Sequence, residues 1–152
     1  MELPASFIDY TRALLGDEEY TELVTALESE QPVSIRLNPL KPFGFQSGES
    51  AVPWCTSGFY LKERLTFTFD PLFHAGCYYV QEASSMFLEQ AIRNFVSEPV
   101  KCLDLCAAPG GKSTHLLNLL PEGSLLVSNE VIRTRSNILA ENITTVSYTH
   151  LR

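Results

Sequence analysis

Apolar and polar positions repeat with two different periods along this chain of 152 residues. Residues 5–15 and 17–29 carry apolar side chains at helical spacing, which predicts two short amphipathic helices separated at Gly16. Acids sit early in the second, where the helix dipole favours them. Pro32 ends that region, and Val33 to Asn38 alternates as a strand does, closed by Pro39 and Pro42. Residues 40–53 read as a loop. Strand-like pieces follow at Gly58–Leu61, Thr66–Phe69 and Gly76–Val80. Ala83–Phe95 predicts a helix with Met86, Phe87, Ala91 and Ile92 inward. The apolar run Val100–Ala107 predicts a buried strand, broken at Pro109, Gly110 and Gly111 and passing at once into a helix over Lys112–Leu120. After a turn at Pro121–Gly123, Ser124–Glu130 reads as a second buried strand and Ile132–Ile143 as a helix; Thr144–Arg152 fits a third strand by pattern alone.

Strand, glycine turn, helix, strand is the start of a parallel α/β sheet, and it presents backbone N–H groups and a helix N-terminus to an anionic ligand. The expected organisation is a small mixed α+β module over residues 1–74, followed over 75–152 by the first part of a Rossmann-like sheet. A doubly wound sheet needs several more strands, so the chain is expected to be a truncated fragment with an open sheet edge, marginal stability and a tendency to aggregate.

Composition narrows the class. No stretch approaches the 18 or more apolar residues of a membrane span, and Met1-Glu-Leu-Pro4 has no signal-peptide character, so a soluble, cytoplasmic, monomeric protein without membrane association is expected. The net charge of −7 lies wholly in residues 1–30, where eight acids face the single Arg12; the remainder holds ten acids and ten bases, which neither supports nor excludes RNA as a partner. Cys55, Cys77, Cys102 and Cys106 are expected as free thiols, with Cys102 and Cys106 on one strand and one face. There is no Cys-x-x-Cys and the three histidines are scattered, so no metal is expected.

Three ligand classes compete for the glycine loop. Gly111-Lys112-Ser113 fits the end of a Walker A motif, but Cys106 stands where its leading glycine belongs. Gly110-Gly111 has the wrong spacing for a dinucleotide fingerprint. S-adenosylmethionine needs only a loop that passes close to its methionine moiety and a carboxylate, twenty residues on, for its ribose; Glu130 has that offset from Gly110.

The run Leu103-Asp-Leu-Cys-Ala-Ala-Pro-Gly-Gly-Lys-Ser-Thr-His115 resembles the cofactor motif of the RNA cytosine-5 methyltransferases, the Sun or RsmB/RsmF group. Ser34–Lys41 resembles that family's R-x-N-x-x-K signature, His74–Met86 the segment before its first sheet strand, and Asn129–Arg135 the end of its second. The resemblance implies that Cys106, Ala107, Ala108, Pro109, Gly110, Gly111 and Lys112 line the methionine end of S-adenosyl-L-methionine and that Glu130 holds the ribose. It puts Gln81, Glu82 and Ser84 near the site, gives Asp104 either a loop-supporting or a purely structural role, and offers Arg36, Asn38 and Lys41 to RNA backbone, with turn stabilisation an equal reading for Asn38.

The family's chemistry adds a cysteine thiolate to carbon 6 of a cytosine taken out of its stack, so that carbon 5 can attack the sulfonium methyl, and a second cysteine assists release. Those cysteines follow Pro and Thr, whereas the four here follow Trp54, Gly76, Lys101 and Leu105. No catalytic residue is assigned, and the chain alone is expected to be inactive. Thr144–Arg152 does not resemble the family's continuation and is expected to be foreign to it. The implied function is methylation of carbon 5 of cytosine in RNA, ribosomal RNA first, by the parent protein. A degenerate P-loop nucleotide-binding protein and a non-catalytic RNA-binding module are the rivals.

Overall fold

The computed structural model describes residues 3–45 and 50–146, and the chain forms two compact units, Met1–Gln31 and Pro32–Arg152. The first is α1 (Ala5–Glu28), whose backbone leaves helical geometry at Gly16 (φ 81°, ψ 172°), where the sequence places the break. Within this unit Arg12 pairs with Asp17 at 3.1 Å and lies 4.7 Å from the centre of the Tyr20 ring.

The second unit holds two sheets. β1 (Val33–Leu37) is the centre of an antiparallel sheet, with β2 (Gly58–Leu61) on one side and β3 (Tyr78–Val80) on the other. The sheet therefore takes strands from both sides of residue 75. Its core gathers Val52, Cys55, Ala83 and Met86, with Trp54 and Tyr60 against them, and the Trp54 indole N–H donates to the Ala83 carbonyl at 2.7 Å. The second sheet pairs β4 (Lys101–Asp104) with β5 (Leu125–Ser128) in parallel, joined by α4 (Gly111–Leu119); α5 (Arg133–Val146) follows.

Five expectations are corrected. Residues 67–69 form a 3-10 turn rather than a strand, because Asp70 caps the Leu72 N–H at 2.9 Å and Pro71 opens the short helix α2 (Pro71–His74); Phe67 instead packs on Phe73 and Tyr78. The helix expected from residue 83 begins as a 3-10 turn, Ala83–Phe87, and becomes α3 only over Leu88–Phe95. With three residues per turn, positions 83, 86 and 89 come to one side. Ala83, Met86 and Glu89 are accordingly buried, while Phe87 and Ala91 are exposed. The two parallel strands are not buried on both faces: Leu103, Leu125 and Val127 are 57%, 55% and 49% exposed, because α4 and α5 cover only the opposite face among the described residues. Cys106 lies past the end of β4 and does not share its strand with Cys102, although all four cysteines are free as expected. The chain is helical through Val146, where the tail pattern suggested extended structure; residues 147–152 of that reading lie outside the described residues.

Candidate cofactor site

The turn between β4 and α4 is fixed from beneath and behind. Asn129 N–H donates to the Asp104 carbonyl at 2.8 Å and Ala107 N–H to the Asn129 carbonyl at 2.9 Å, extending the strand pairing into the loop. The Asp104 carboxylate accepts from Ser113 Oγ at 2.7 Å, and Ser113 Oγ in turn accepts from Ser128 Oγ at 2.9 Å. Asp104 thus ties the end of β4 to the first turn of α4, which is the loop-supporting role left open by the sequence. On the far side, α5 holds two loop carbonyls: Arg135 donates to Ala108 at 2.8 Å and Asn142 to Pro109 at 2.7 Å. Gly110 takes φ +113°, a left-handed conformation in which a Cβ would lie 3.3 Å from Leu139 Cδ1.

With its carbonyls held away, the loop and the N-terminus of α4 face a cleft of about 230 Å³. Cys106, Ala107, Ala108, Pro109, Gly111 and Lys112 line it on one side; Tyr79, Val80, Gln81, Glu82 and Ser85 line the other. The first N–H groups of a helix have no intrahelical partner, so α4 offers donors here. Gly111 lets the Tyr79–Gln81 wall approach the loop this closely, since a Cβ there would stand 3.3 Å from Tyr79 Cε1 and 3.6 Å from Gln81 Nε2. Gln81 Nε2 is buried and has no hydrogen-bond partner among the described residues, although Gln81 Oε1 accepts from Arg36 at 2.8 Å. An unserved amide at the wall of a polar cleft marks a place for an acceptor group of a ligand. Ser84 and Gly110 are not in the lining. Glu130 also lies outside it: its side chain is 4% exposed, accepts from the Ile132 N–H at 3.0 Å and sits 3.6 Å from the Arg135 guanidinium that reaches Ala108.

The R-x-N-x-x-K residues donate to the protein itself, Arg36 and Asn38 from buried positions and Lys41 from a half-buried one. Arg36, 2% exposed, donates from Nε to Gln81 Oε1, from Nη2 to Thr114 Oγ1 at 2.8 Å and to the Gly111 carbonyl at 3.4 Å, and from Nη1 to the Thr114 carbonyl at 3.5 Å. Burial lowers its pKa to about 10, with Cys55, Tyr79 and Glu89 pulling it back up, so it stays charged at neutral pH. Asn38 donates to the Gly76 and Val146 carbonyls at 2.8 and 2.7 Å, and Lys41 Nζ donates to the Ala75 and Thr145 carbonyls at 2.8 and 2.6 Å. Helix C-termini leave carbonyls unserved and favour cations, and Asn38 and Lys41 meet both needs at the end of α5. These contacts overturn the assignment of Arg36 and Asn38 to RNA: with Lys41, the signature locks the small sheet onto α4 and α5.

Next to Arg36 lies a polar group that periodicity does not reveal. Glu89 of α3, His115 of α4 and Cys55 are 1%, 1% and 3% exposed and meet in the interior. Burial pushes the Glu89 carboxyl up, but hydrogen bonds from Cys55, Arg93 and Thr56 together outweigh it and bring it down to about 2. Burial, then the Arg36 charge, lowers His115 to about 4 against the pull of Glu89. Burial, with Glu89 beside it, pushes the Cys55 thiol up. Burial also raises the Tyr79 phenol, against the charge of Arg36. The sequence carried no sign of this meeting, because His115 stands 26 residues from Glu89 and 60 from Cys55.

Comparison with known proteins agrees with this architecture. Residues 3–83 match the N-terminal domain of 16S rRNA methyltransferase RsmF, and residues 95–152 match 16S rRNA methyltransferase RsmB/F. The second match runs through the tail expected to be foreign, which corrects that expectation. Ribosomal RNA small subunit methyltransferase F of Pectobacterium atrosepticum is 33% identical, over 93% of this chain and 32% of its own length; that of Aeromonas salmonicida is 34% identical, over 97% and 35%. The chain therefore spans about a third of the length of these curated relatives. A methyltransferase homolog protein from Pyrococcus horikoshii superposes with a TM-score of 0.70 at 29% identity, covering 95% of this chain and 54% of that one. By its matched domains, its relatives and its fold, the chain belongs to the family of the 16S rRNA methyltransferases RsmB/F.

Proposed function

We propose that these residues form the methionine-binding part of an S-adenosylmethionine site, and that the whole protein methylates carbon 5 of a cytosine in ribosomal RNA. The observation that carries the reading is the cleft: a glycine loop with its carbonyls tied back, an unserved Gln81 amide in the facing wall, and a helix N-terminus between them. The residues present fit the cofactor. Cys106–Lys112 would hold its methionine end, with the α4 N-terminus and Gln81 toward the carboxylate. Glu130, which takes the ribose in this reading, would keep Arg135 as the link to Ala108. When bound, the cofactor supplies an electrophilic methyl group on a sulfonium.

The chain's own residues bind and orient. Tyr79 and Gln81 keep the wall opposite the loop, Arg36 fixes that wall to α4, and Asp104 fixes α4 to the sheet. None of the four cysteines stands in the sequence context expected of the thiolate that adds to carbon 6, so methyl transfer is assigned to the whole protein and cofactor capture to this part. In the same reading the small sheet β2–β1–β3 supplies the wall that faces the cofactor, and β4, α4 and β5 are the start of the methyltransferase sheet.

Calorimetry of S-adenosylmethionine against the folded chain tests this directly. The double variant Gly110→Ala, Gly111→Ala should lose at least about tenfold in affinity, which is about 1.4 kcal/mol. One substitution strains a left-handed residue and the other fills the cleft between loop and Tyr79. Equal affinity in the double variant would sink the proposal. ATP binding that needs magnesium and disappears in Lys112→Ala would favour the P-loop rival instead.

A further inference from the structure

His115 Nε2 lies 3.2 Å from Glu89 Oε2 and 3.9 Å from Cys55 Sγ, and one ligand atom from each of the three residues falls within 4.8 Å of the others. Imidazole nitrogen, carboxylate oxygen and thiolate sulfur are the donors zinc takes. Ligand atoms on one tetrahedral zinc, at roughly 2.0–2.3 Å from it, stand about 3.3–3.7 Å apart. The observed separations fall on either side of that interval, so closure around an ion needs movements of a few tenths of an ångström at the two measured contacts.

The surroundings are also those of a held ligand set. Glu89 Oε1 accepts from Thr56 N–H at 3.2 Å, Thr56 Oγ1 at 2.8 Å and Arg93 Nε at 2.7 Å, which fixes the carboxylate with Oε2 toward His115. Ser57 Oγ lies 3.7 Å from Cys55 Sγ. Such outer hydrogen bonds orient metal-binding side chains.

We propose that Cys55, Glu89 and His115 bind one divalent transition-metal ion of the zinc class. On loading, the Cys55 S–H bond breaks, its proton leaves to solvent, and the sulfur, Oε2 and Nε2 each donate an electron pair to the ion; nothing is oxidised or reduced. The imidazole stays neutral, its proton moving to Nδ1. The ion joins the turn before β2 to α3 and α4, and α4 is the helix whose first turn opens the cofactor cleft. Its role is structural, since the donor atoms are buried and separate from the cleft lining.

The test uses the intact chain with zinc, and with cobalt(II) as a coloured substitute. One zinc per chain should bind and raise the melting temperature, and cobalt should develop a thiolate charge-transfer band. Cys55→Ser and His115→Gln should each weaken zinc by at least about 100-fold, beyond the loss expected from an outer-shell partner alone. A variant in which Cys77, Cys102 and Cys106 are all serine should keep the cobalt band, because Cys55 is then its sole thiol. That last variant decides the matter even where substitutions at the site itself prevent folding. A folded chain that takes up no zinc, or a cobalt band that vanishes in the triple-serine variant, would overturn the proposal.

Discussion

Replacing Arg36 by Met should destabilise the chain by about 3–4 kcal/mol in urea unfolding. Met fills much of the same space, so the loss comes from the polar groups left behind rather than from a cavity. Gln81 Oε1, Thr114 Oγ1 and the Gly111 and Thr114 carbonyls all lose their guanidinium donor in the interior. A buried polar group left unserved costs about 1–3 kcal/mol, and some of these groups regain partial contacts by relaxation. Against a usual total of about 5–15 kcal/mol, this is a large fraction. Arg36→Lys should recover little of it, because an ammonium cannot reach the amide and the helix turn together as the planar fork does. Cofactor affinity should fall with stability, since the same contacts set the distance between the Gln81 wall and α4. A loss below about 1 kcal/mol would show that the small sheet is not fastened to α4 through this residue.

Gly76→Ala carries the second large effect. Gly76 has φ +71°, and a Cβ there would overlap the Thr145 carbonyl oxygen and stand 2.8 Å from the Thr145 carbonyl carbon. The two nearest atoms are backbone at the end of α5; only the third, Lys41 Nζ at 3.2 Å, is the tip of a flexible side chain. Left-handed backbone costs a residue with a Cβ about 1–2 kcal/mol before any clash. The clash adds to this by pushing α5 away from Asn38 and Lys41, which hold the Val146 and Thr145 carbonyls. A loss of about 3 kcal/mol or more, read by thermal or urea unfolding, is expected. Because α5 also holds the Ala108 and Pro109 carbonyls through Arg135 and Asn142, the glycine loop should loosen as well. An alanine variant with unchanged stability would mean that α5 does not pack against this turn.

The elements with strong period were legible in the sequence: both arms of α1 with their break at Gly16, strand β1, and the strand–turn–helix–strand of the cofactor motif. What was not legible follows from geometry that periodicity does not encode. A 3-10 start to the helix after Glu82 changes its phase, so Glu89 turns in and Phe87 turns out. Phe67 and Phe69 alternate as a strand would, yet the Asp70 cap and Pro71 bend that stretch into a helical turn. The charged signature residues looked like surface contacts to a polyanion, and only the fold shows Arg36 and Asn38 buried with their donors spent on backbone and amide oxygens. In the same way Cys55, Glu89 and His115 carry no common spacing and meet only through the packing of α3 and α4. The loop from Cys106 to Lys112 was visible as a motif, but its facing wall of Tyr79 and Gln81 comes from the small sheet.

The proposed entry point of S-adenosylmethionine is the cleft between that wall and the glycine loop. Amide chemical shifts of the folded chain, followed by NMR as the cofactor is added, address it most directly. Saturable shifts should concentrate at Tyr79–Glu82 and Cys106–Lys112 and fade along α3. Saturable shifts confined to other parts of the chain, or none at all in a chain with a dispersed native spectrum, would contradict it.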